Sequence, residues 1–162
     1  MKKIFLAIIL LVVVSQTQAQ KTTLYHPLEN AQKEIDYAVM VAKSKNKHVL
    51  IQAGGNWCSW CIEFDRFSKA DSAVNAIIEK NYIVYHLNWS KENENKKVFA
   101  KYGFPQRFGF PTFIILNGKG ERLHTQDSAW LEDGKKSYDS RKVKAFLEMW
   151  TPKMLAPASY GM

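Results

Sequence analysis

Cysteine is scarce in this sequence: the chain has two, and they stand together as Cys58 and Cys61. Small exported scaffolds that disulfides hold together need several such pairs, so this class of protein is excluded. Long apolar runs are scarce as well, because the longest, residues 4–14, has eleven residues, whereas a membrane helix needs about 20. With 162 residues and 46% apolar content, the chain must be held by a hydrophobic core.

Metal-binding patterns are also missing. A C-x-x-C pair supplies two of the four ligands that zinc needs, and the sequence has no second C-x-x-C and no H-x-H. The histidines are dispersed, at His26, His48, His86 and His124. We therefore expect no metal site. A Cys–His hydrolase pair with His86 is disfavoured, since the C-x-x-C spacing accounts for both cysteines at once.

The net charge of +8 at pH 7 leaves nucleic acid or anionic lipid as conceivable partners. The lysines are scattered along the chain, however, and a protein that is exported, as the N-terminal pattern described next predicts, meets little nucleic acid. We expect no nucleic-acid binding. We interpret the excess of positive charge as a contribution to solubility, with some preference for acidic partners.

The N-terminus has the pattern of a cleaved secretory signal. Lys2 and Lys3 precede the apolar run, and small residues stand at Thr17 and Ala19, the two positions that a signal peptidase reads. We expect residues 1–19 to be removed and the protein to be periplasmic or extracellular. An uncleaved membrane anchor is the alternative.

The two cysteines follow an apolar run and a Gly54-Gly55 turn, and they open a helical pattern. At a helix start, unpaired N–H groups and the helix dipole favour the thiolate, which is the form that attacks a disulfide. Cys61 lies about one turn deeper on the same face, so it can displace a substrate from Cys58. This arrangement suits dithiol–disulfide exchange and needs no cofactor.

The patterning predicts an α/β protein with the order α–β–α–α–β–α–β–β–α. The first helix is expected to start at Pro27 and to bury Leu28, the helix after Cys58 to bury Ile62, and the last helix to be capped by Ser140. Strands separated by helices are expected to be parallel, with an antiparallel hairpin at the edge. The predicted strands are residues 48–53, 82–88, 112–116 and 121–125.

The segment Trp57-Cys58-Ser59-Trp60-Cys61, with Gly109-Phe110-Pro111-Thr112-Phe113 and a β-hairpin further on, resembles the thioredoxin-like fold family. More narrowly, it is similar to exported thiol–disulfide oxidoreductases of that family. The resemblance implies a mixed central sheet flanked by helices, with a C-terminal hairpin and helix. It implies a thioredoxin-like domain over residues 28–153, between an N-terminal extension (20–27) and a tail (154–162).

By position, the resemblance implies that Cys58 is the nucleophile and Cys61 the resolving cysteine. Pro111 is implied to be a cis-proline facing the sulfurs, with Pro105 as the competing candidate. Phe110 is implied to pair through its backbone with the substrate. Trp57 and Trp60 are expected to bind substrate with Phe110 and Pro111, on an apolar surface that also includes Trp89.

The chain departs from the family at the position of its buried aspartate, which is Gln52 here. The facing position on the next strand is His86, which could carry the proton instead because imidazole titrates near neutrality. A core histidine satisfied by a hydrogen bond is the alternative. Ser59 and Trp60 add no cation between the cysteines, which argues against a strong oxidant.

We therefore expect an exported, monomeric disulfide reductase that acts on disulfide- or thiol-containing proteins. A membrane-side electron donor must then keep Cys58 and Cys61 reduced. The alternatives are a peptide-binding module of the same fold with a static disulfide, and a disulfide oxidase or isomerase with little reductase activity.

Overall fold

A computed structural model describes residues 23–162. The predicted signal peptide therefore lies outside the described residues, as does the start of the extension. Three 3₁₀ turns, Pro105–Phe108, Ser128–Leu131 and Pro157–Tyr160, accompany the main elements. Those are α1 (Ala31–Ser44), β1 (His48–Gly54), α2 (Ser59–Ala70), α3 (Ser72–Asn81), β2 (Tyr82–Asn88), α4 (Lys96–Lys101), β3 (Thr112–Leu116), β4 (Arg122–Asp127) and α5 (Ser140–Met149).

The predicted order of helices and strands is confirmed. Within residues 23–162, no helix is both long enough and apolar enough to cross a membrane.

The four strands form one mixed sheet in the order β2-β1-β3-β4. β1 pairs parallel with β2 and antiparallel with β3, and β3 pairs antiparallel with β4. The prediction that every strand separated by a helix is parallel is therefore wrong for β3. The connection through α4 and the Pro105–Phe108 turn brings the chain back in the opposite direction on the other side of β1.

The sheet has a hydrophobic cluster on each face. On one face, alternate residues of β1 such as Val49 and Ile51 pack with α1 and α4. On the other, Leu50 packs with Phe64 of α2 and with residues of α3 and α5. All seven residues of β1 are buried, as expected for a central strand with both faces covered. Gln52 shares the face of Leu50 by the two-residue period of a strand and therefore points toward α2.

Two helix starts differ from the prediction because a better capping residue is adjacent. Asn30 caps α1 by accepting a hydrogen bond from Lys33 N, so Pro27 precedes the helix and Leu28 is 93% exposed. Asp139, rather than Ser140, caps α5. Carboxylate and amide oxygens are good acceptors for the first free N–H groups of a helix.

Ile62 is also not buried as predicted: it is 42% exposed, because Cys61 and Phe64 occupy the inner face of α2. The second hairpin strand, β4, runs one to two residues later than predicted, and its pairing with β3 shifts register at Ile115 and Leu116.

Candidate active site

Cys58 and Cys61 form a disulfide at the start of α2, with their Cα atoms 5.2 Å apart. Cys58 is the N-cap residue, and its Sγ accepts a hydrogen bond from Cys61 N at 3.1 Å. Cys58 is 5% exposed and Cys61 is fully buried. The sulfur at the helix end is thus the more accessible one, and a backbone N–H is already aimed at it.

The glycine turn before the motif leaves room for the sulfurs. A Cβ atom at Gly54 would overlap Cys61 Sγ and would lie 2.8 Å from Tyr25 Oη. A Cβ atom at Gly55 would overlap the Trp57 indole and lie 2.8 Å from Trp89 O. A larger residue at position 54 would therefore push the end of β1 away from the disulfide, and one at position 55 would displace the Trp57 indole.

A tyrosine that the sequence analysis passed over lies beneath the disulfide. Tyr25, in the predicted N-terminal extension, is fully buried and packs against Cys58 and Cys61. Its hydroxyl accepts a hydrogen bond from Gln52 Nε2 at 2.9 Å, and the same amide donates to Cys61 O at 2.9 Å. Burial raises the pKa of Tyr25, so its hydroxyl stays protonated. Gln52 therefore joins Tyr25 to the main chain of Cys61.

Asn56 fixes the Tyr25 segment to the motif. Tyr25 N donates to Asn56 Oδ1 at 3.0 Å, and Asn56 Nδ2 donates to Tyr25 O at 2.8 Å. This reciprocal pair spans 31 residues of sequence. A tyrosine in a polar segment, followed by a proline and with no helical or strand periodicity, gives no sequence signal of such a contact.

His86 lies beside Gln52, as predicted: the two are register partners in the parallel pair of β1 and β2. Its Nε2 is 4.0 Å from Asp65 Oδ1, and its ring meets Tyr25 edge-on at 5.4 Å. Burial lowers the pKa of His86 to about 4, and the carboxylate of Asp65 only partly opposes this. The imidazole is therefore neutral at pH 7.

His86 and Gln52 line a cavity of about 240 Å³ between β1, β2, α2 and α3. Asp65 and Lys69 of α2 and Glu79 of α3 also line it. The alternative that His86 is a core histidine satisfied by a hydrogen bond finds no support, since 4.0 Å to Asp65 is longer than a hydrogen bond.

The predicted substrate-binding aromatics do not all lie on one surface. Trp57 is 60% exposed, meets Phe110 edge-on at 5.6 Å and donates from Nε1 to Trp89 O at 2.7 Å. Trp89 also packs against Phe110. Trp60 is instead half-buried and packs against Tyr138, whose hydroxyl donates to Trp60 O. The aromatic surface beside the cis-proline therefore consists of the exposed Trp57 and the half-buried Phe110, backed by Trp89.

The Phe110–Pro111 peptide bond is cis, the geometry expected for Pro111 rather than Pro105. Thr112 Oγ1 fixes the loop before it by donating to Gly109 O at 2.6 Å. Phe110 packs against the two cysteines, and its main-chain N–H and C=O form no hydrogen bond with the rest of residues 23–162. An unpaired peptide unit thus lies next to the disulfide.

Among residues 23–162, no group of three or more His, Cys, Asp or Glu side chains is arranged to hold a metal ion.

The comparisons with known proteins agree with the fold. A family model described as thioredoxin-like matches residues 30–118. A disulphide isomerase from Xylella fastidiosa Temecula1 superposes with a TM-score of 0.66 at 23% identity, covering 76% of this chain and 93% of its own. A thioredoxin from Thermus thermophilus superposes with a TM-score of 0.51 at 17% identity, covering 75% and 87%.

A search of curated proteins gives no match. The two structures share the fold, and the family model covers more than half of the sequence, including Cys58, Cys61 and cis-Pro111. The chain belongs to the thioredoxin-like family.

Proposed function

We propose that this protein is an exported thiol–disulfide oxidoreductase that reduces disulfides in extracytoplasmic proteins. The observation that carries the proposal is the Cys58–Cys61 disulfide at the start of α2, with the unpaired peptide unit of Phe110 beside it. Cys58 at the helix end is slightly exposed, Cys61 is fully enclosed, and a polypeptide can be held next to both.

In the proposed reaction, the reduced Cys58 thiolate attacks one sulfur of a substrate disulfide. A bond forms between Cys58 and that sulfur, and the other substrate sulfur leaves with the electron pair as a thiolate. Cys61, as a thiolate, then attacks Cys58 Sγ, and the remaining substrate sulfur leaves with its electron pair. The protein ends as the Cys58–Cys61 disulfide, and an external dithiol donor must reduce it again.

The substrate is held by Trp57, Phe110 and Pro111 in this proposal. The free N–H and C=O of Phe110 can pair with an extended substrate chain, and main-chain pairing of this kind tolerates many sequences. The exposed indole of Trp57 offers apolar contact area. Trp60 supports the motif from the opposite side through Tyr138.

Gln52 and His86 have different parts in the proposal. Gln52 cannot carry a proton, and it positions Cys61 and Tyr25 through its two hydrogen bonds. His86 is neutral at pH 7 and lines the cavity beside Gln52, but its pKa of about 4 makes the imidazole a weak base. A part for His86 in proton transfer to or from Cys61 is proposed from its place beside Gln52 alone.

The reducing direction is supported by the surroundings of Cys58. No charged residue lies between the cysteines, and Cys58 Sγ accepts its hydrogen bond from one backbone N–H, that of Cys61. Less stabilisation of the thiolate means less stabilisation of the dithiol, so the disulfide is a weak oxidant. Export, a membrane-side donor and a monomeric state complete the proposal, and export is supported by the composition of residues 1–19.

Two assays on one preparation test the proposal: reduction of insulin with dithiothreitol, and oxidative refolding of reduced ribonuclease. We expect efficient insulin reduction and slow refolding, with Cys58→Ser inactive in both. Efficient refolding without insulin reduction would reverse the direction. Failure in both assays would favour a peptide-binding module. A measured redox potential against a glutathione buffer decides between reductase and oxidase independently.

A further inference from the structure

The hydroxyl proton of Tyr25 has no acceptor among the oxygens and nitrogens of residues 23–162. Tyr25 Oη accepts from Gln52 Nε2, but it donates to none of these atoms. The side chain is fully buried, so water does not replace the missing acceptor at the protein surface. A buried hydroxyl normally uses its proton in a hydrogen bond. This unpaired donor therefore indicates that another state of the protein supplies a hydrogen-bond acceptor for the Tyr25 hydroxyl.

The Cys61 sulfur is placed to be that partner. Tyr25 Oη and Cys61 Sγ border the same small space, which a Cβ atom on Gly54 would fill. In the disulfide the sulfur is a weak, neutral acceptor. After reduction, Cys61 is a thiol or a thiolate, and a thiolate enclosed in a protein needs a hydrogen-bond donor.

We propose that, in the reduced protein, the Tyr25 hydroxyl donates a hydrogen bond to the Cys61 sulfur and favours its thiolate. That thiolate displaces the substrate from Cys58. The inference rests on the proposed function and assigns to it a residue of the N-terminal segment. Gln52 orients the hydroxyl by donating to its oxygen, and Asn56 holds the segment in place.

The phenol is suited to this part because it does not itself ionise. Burial raises the pKa of Tyr25, so the hydroxyl is a permanent donor rather than a competing base. A carboxylate at the position of Gln52 would place a negative charge near the thiolate. The pair of amide and phenol offers hydrogen bonds without that repulsion.

Other titratable groups also lie around Tyr25 and His86. A comparison of variants is clean only if these groups are the same in each variant. Asp65 of α2 and Tyr138 face Tyr25, and His86 of β2 meets its ring. Lys69 and His26 act on His86. Tyr25→Phe leaves all of these groups in place. A change of the Cys61 pKa in this variant therefore measures the effect of losing the Tyr25 hydroxyl.

The test measures the Cys61 pKa in full-length, reduced protein carrying Cys58→Ser and ¹³C at the cysteine Cβ, from the pH dependence of that signal. We expect Tyr25→Phe to raise the Cys61 pKa by about one unit, which is a roughly tenfold smaller thiolate fraction at neutral pH. The control is Tyr82→Phe, which removes another buried hydroxyl, one that donates to Leu147 O. Tyr82→Phe should leave the Cys61 pKa unchanged.

Equal Cys61 pKa values in Tyr25→Phe and Tyr82→Phe would overturn the inference. A second measurement needs no tyrosine variant: in reduced protein labelled at tyrosine Cζ, the Tyr25 signal should shift at the pH at which Cys61 titrates. A Tyr25 signal that stays constant through that pH range would also overturn it. Both readouts are independent of activity, so failed insulin reduction would overturn the proposed function without deciding this one.

Discussion

Gly54 and Cys61 lie so close together that a Cβ atom on residue 54 would overlap Cys61 Sγ. The end of the central strand therefore packs directly against the Cys61 sulfur. Because β1 is held by β2 on one side and β3 on the other, the backbone at position 54 has little freedom to withdraw.

Gly54→Ala should destabilise the protein by about 1–3 kcal/mol, the usual cost of forcing an extra methyl into a packed site. The measurement is urea unfolding of the oxidised protein. Gly118→Ala is the comparison, because its added Cβ would lie 3.3 Å from the nearest atom, Lys43 Cα, and should cost less. Equal unfolding free energies for Gly54→Ala and wild type would contradict the conclusion that there is no room for a Cβ atom at position 54.

The two cysteines should differ in reactivity. We expect limiting iodoacetamide at neutral pH to modify Cys58 at least about tenfold faster than Cys61, since Cys58 lies at the helix end and Cys61 is enclosed. Peptide mapping of the reduced, alkylated protein gives the ratio. Predominant modification of Cys61 would reverse the roles assigned to the pair.

The part of the site that follows from local sequence was predictable. Cys58 and Cys61 are three residues apart at a helix start, and Gln52 and His86 face each other because two central strands align in register. The first relationship needs only the spacing of the motif, and the second was carried over by position from the family resemblance. The cis bond before Pro111 was predicted from the family resemblance.

The remainder depends on tertiary packing that the local pattern does not encode. The direction of β3 is set by a connection that crosses β1, and the contact of Tyr25 with Gln52 spans 27 residues. Tyr25 lies in a segment without regular structure, so periodicity gives it no partner. Trp60 was expected beside Trp57, but the helix turns it toward Tyr138 instead.

His86 should make the protein less stable in mild acid. Burial lowers its folded-state pKa to about 4, whereas an unfolded histidine has a pKa near 6.5. Between these values the unfolded chain binds a proton that the folded chain does not. The free energy of unfolding should therefore fall as the pH drops from about 6.5 to about 4, by up to about 3 kcal/mol from this group.

The measurement is urea unfolding at pH 7, 5 and 4 for wild type and His86→Gln. Burial also lowers the pKa of His48, which contributes in the same direction, so the difference between the two proteins isolates His86. We expect a flatter pH dependence in His86→Gln. Parallel curves for the two proteins would show that His86 has no depressed pKa.

Asn56→Ala should release the Tyr25 segment from the motif. The variant loses both hydrogen bonds that join residue 56 to the main chain of Tyr25, at a cost of about 1–3 kcal/mol. Limited chymotrypsin digestion followed by mass spectrometry should reveal cleavage after Tyr25. Asn75→Ala is the control, since the Asn75 side chain on α3 makes no hydrogen bond within residues 23–162 and the main-chain N–H, which donates to Asp71 O, is kept in the variant. Equal protection of Tyr25 from chymotrypsin in both variants would contradict the conclusion that Asn56 holds the Tyr25 segment in place.

Trp57 should contribute to substrate binding and little to the fold. It is 60% exposed, and its contacts are an edge-on packing with Phe110 and one hydrogen bond to Trp89 O. Aromatic anchors of this kind often account for about 2 kcal/mol or more of binding. We expect Trp57→Ala to raise the KM for insulin reduction roughly tenfold or more, since each tenfold change is about 1.4 kcal/mol.

The matched control for Trp57→Ala is Trp130→Ala, which removes an indole that is 75% exposed on the Ser128–Leu131 turn. If general surface hydrophobicity held the substrate, both variants would raise KM equally. If the surface of Trp57 and Phe110 holds it, only Trp57→Ala raises KM, and the unfolding free energy changes little in either variant. A KM in Trp57→Ala equal to that of wild type would place the substrate elsewhere.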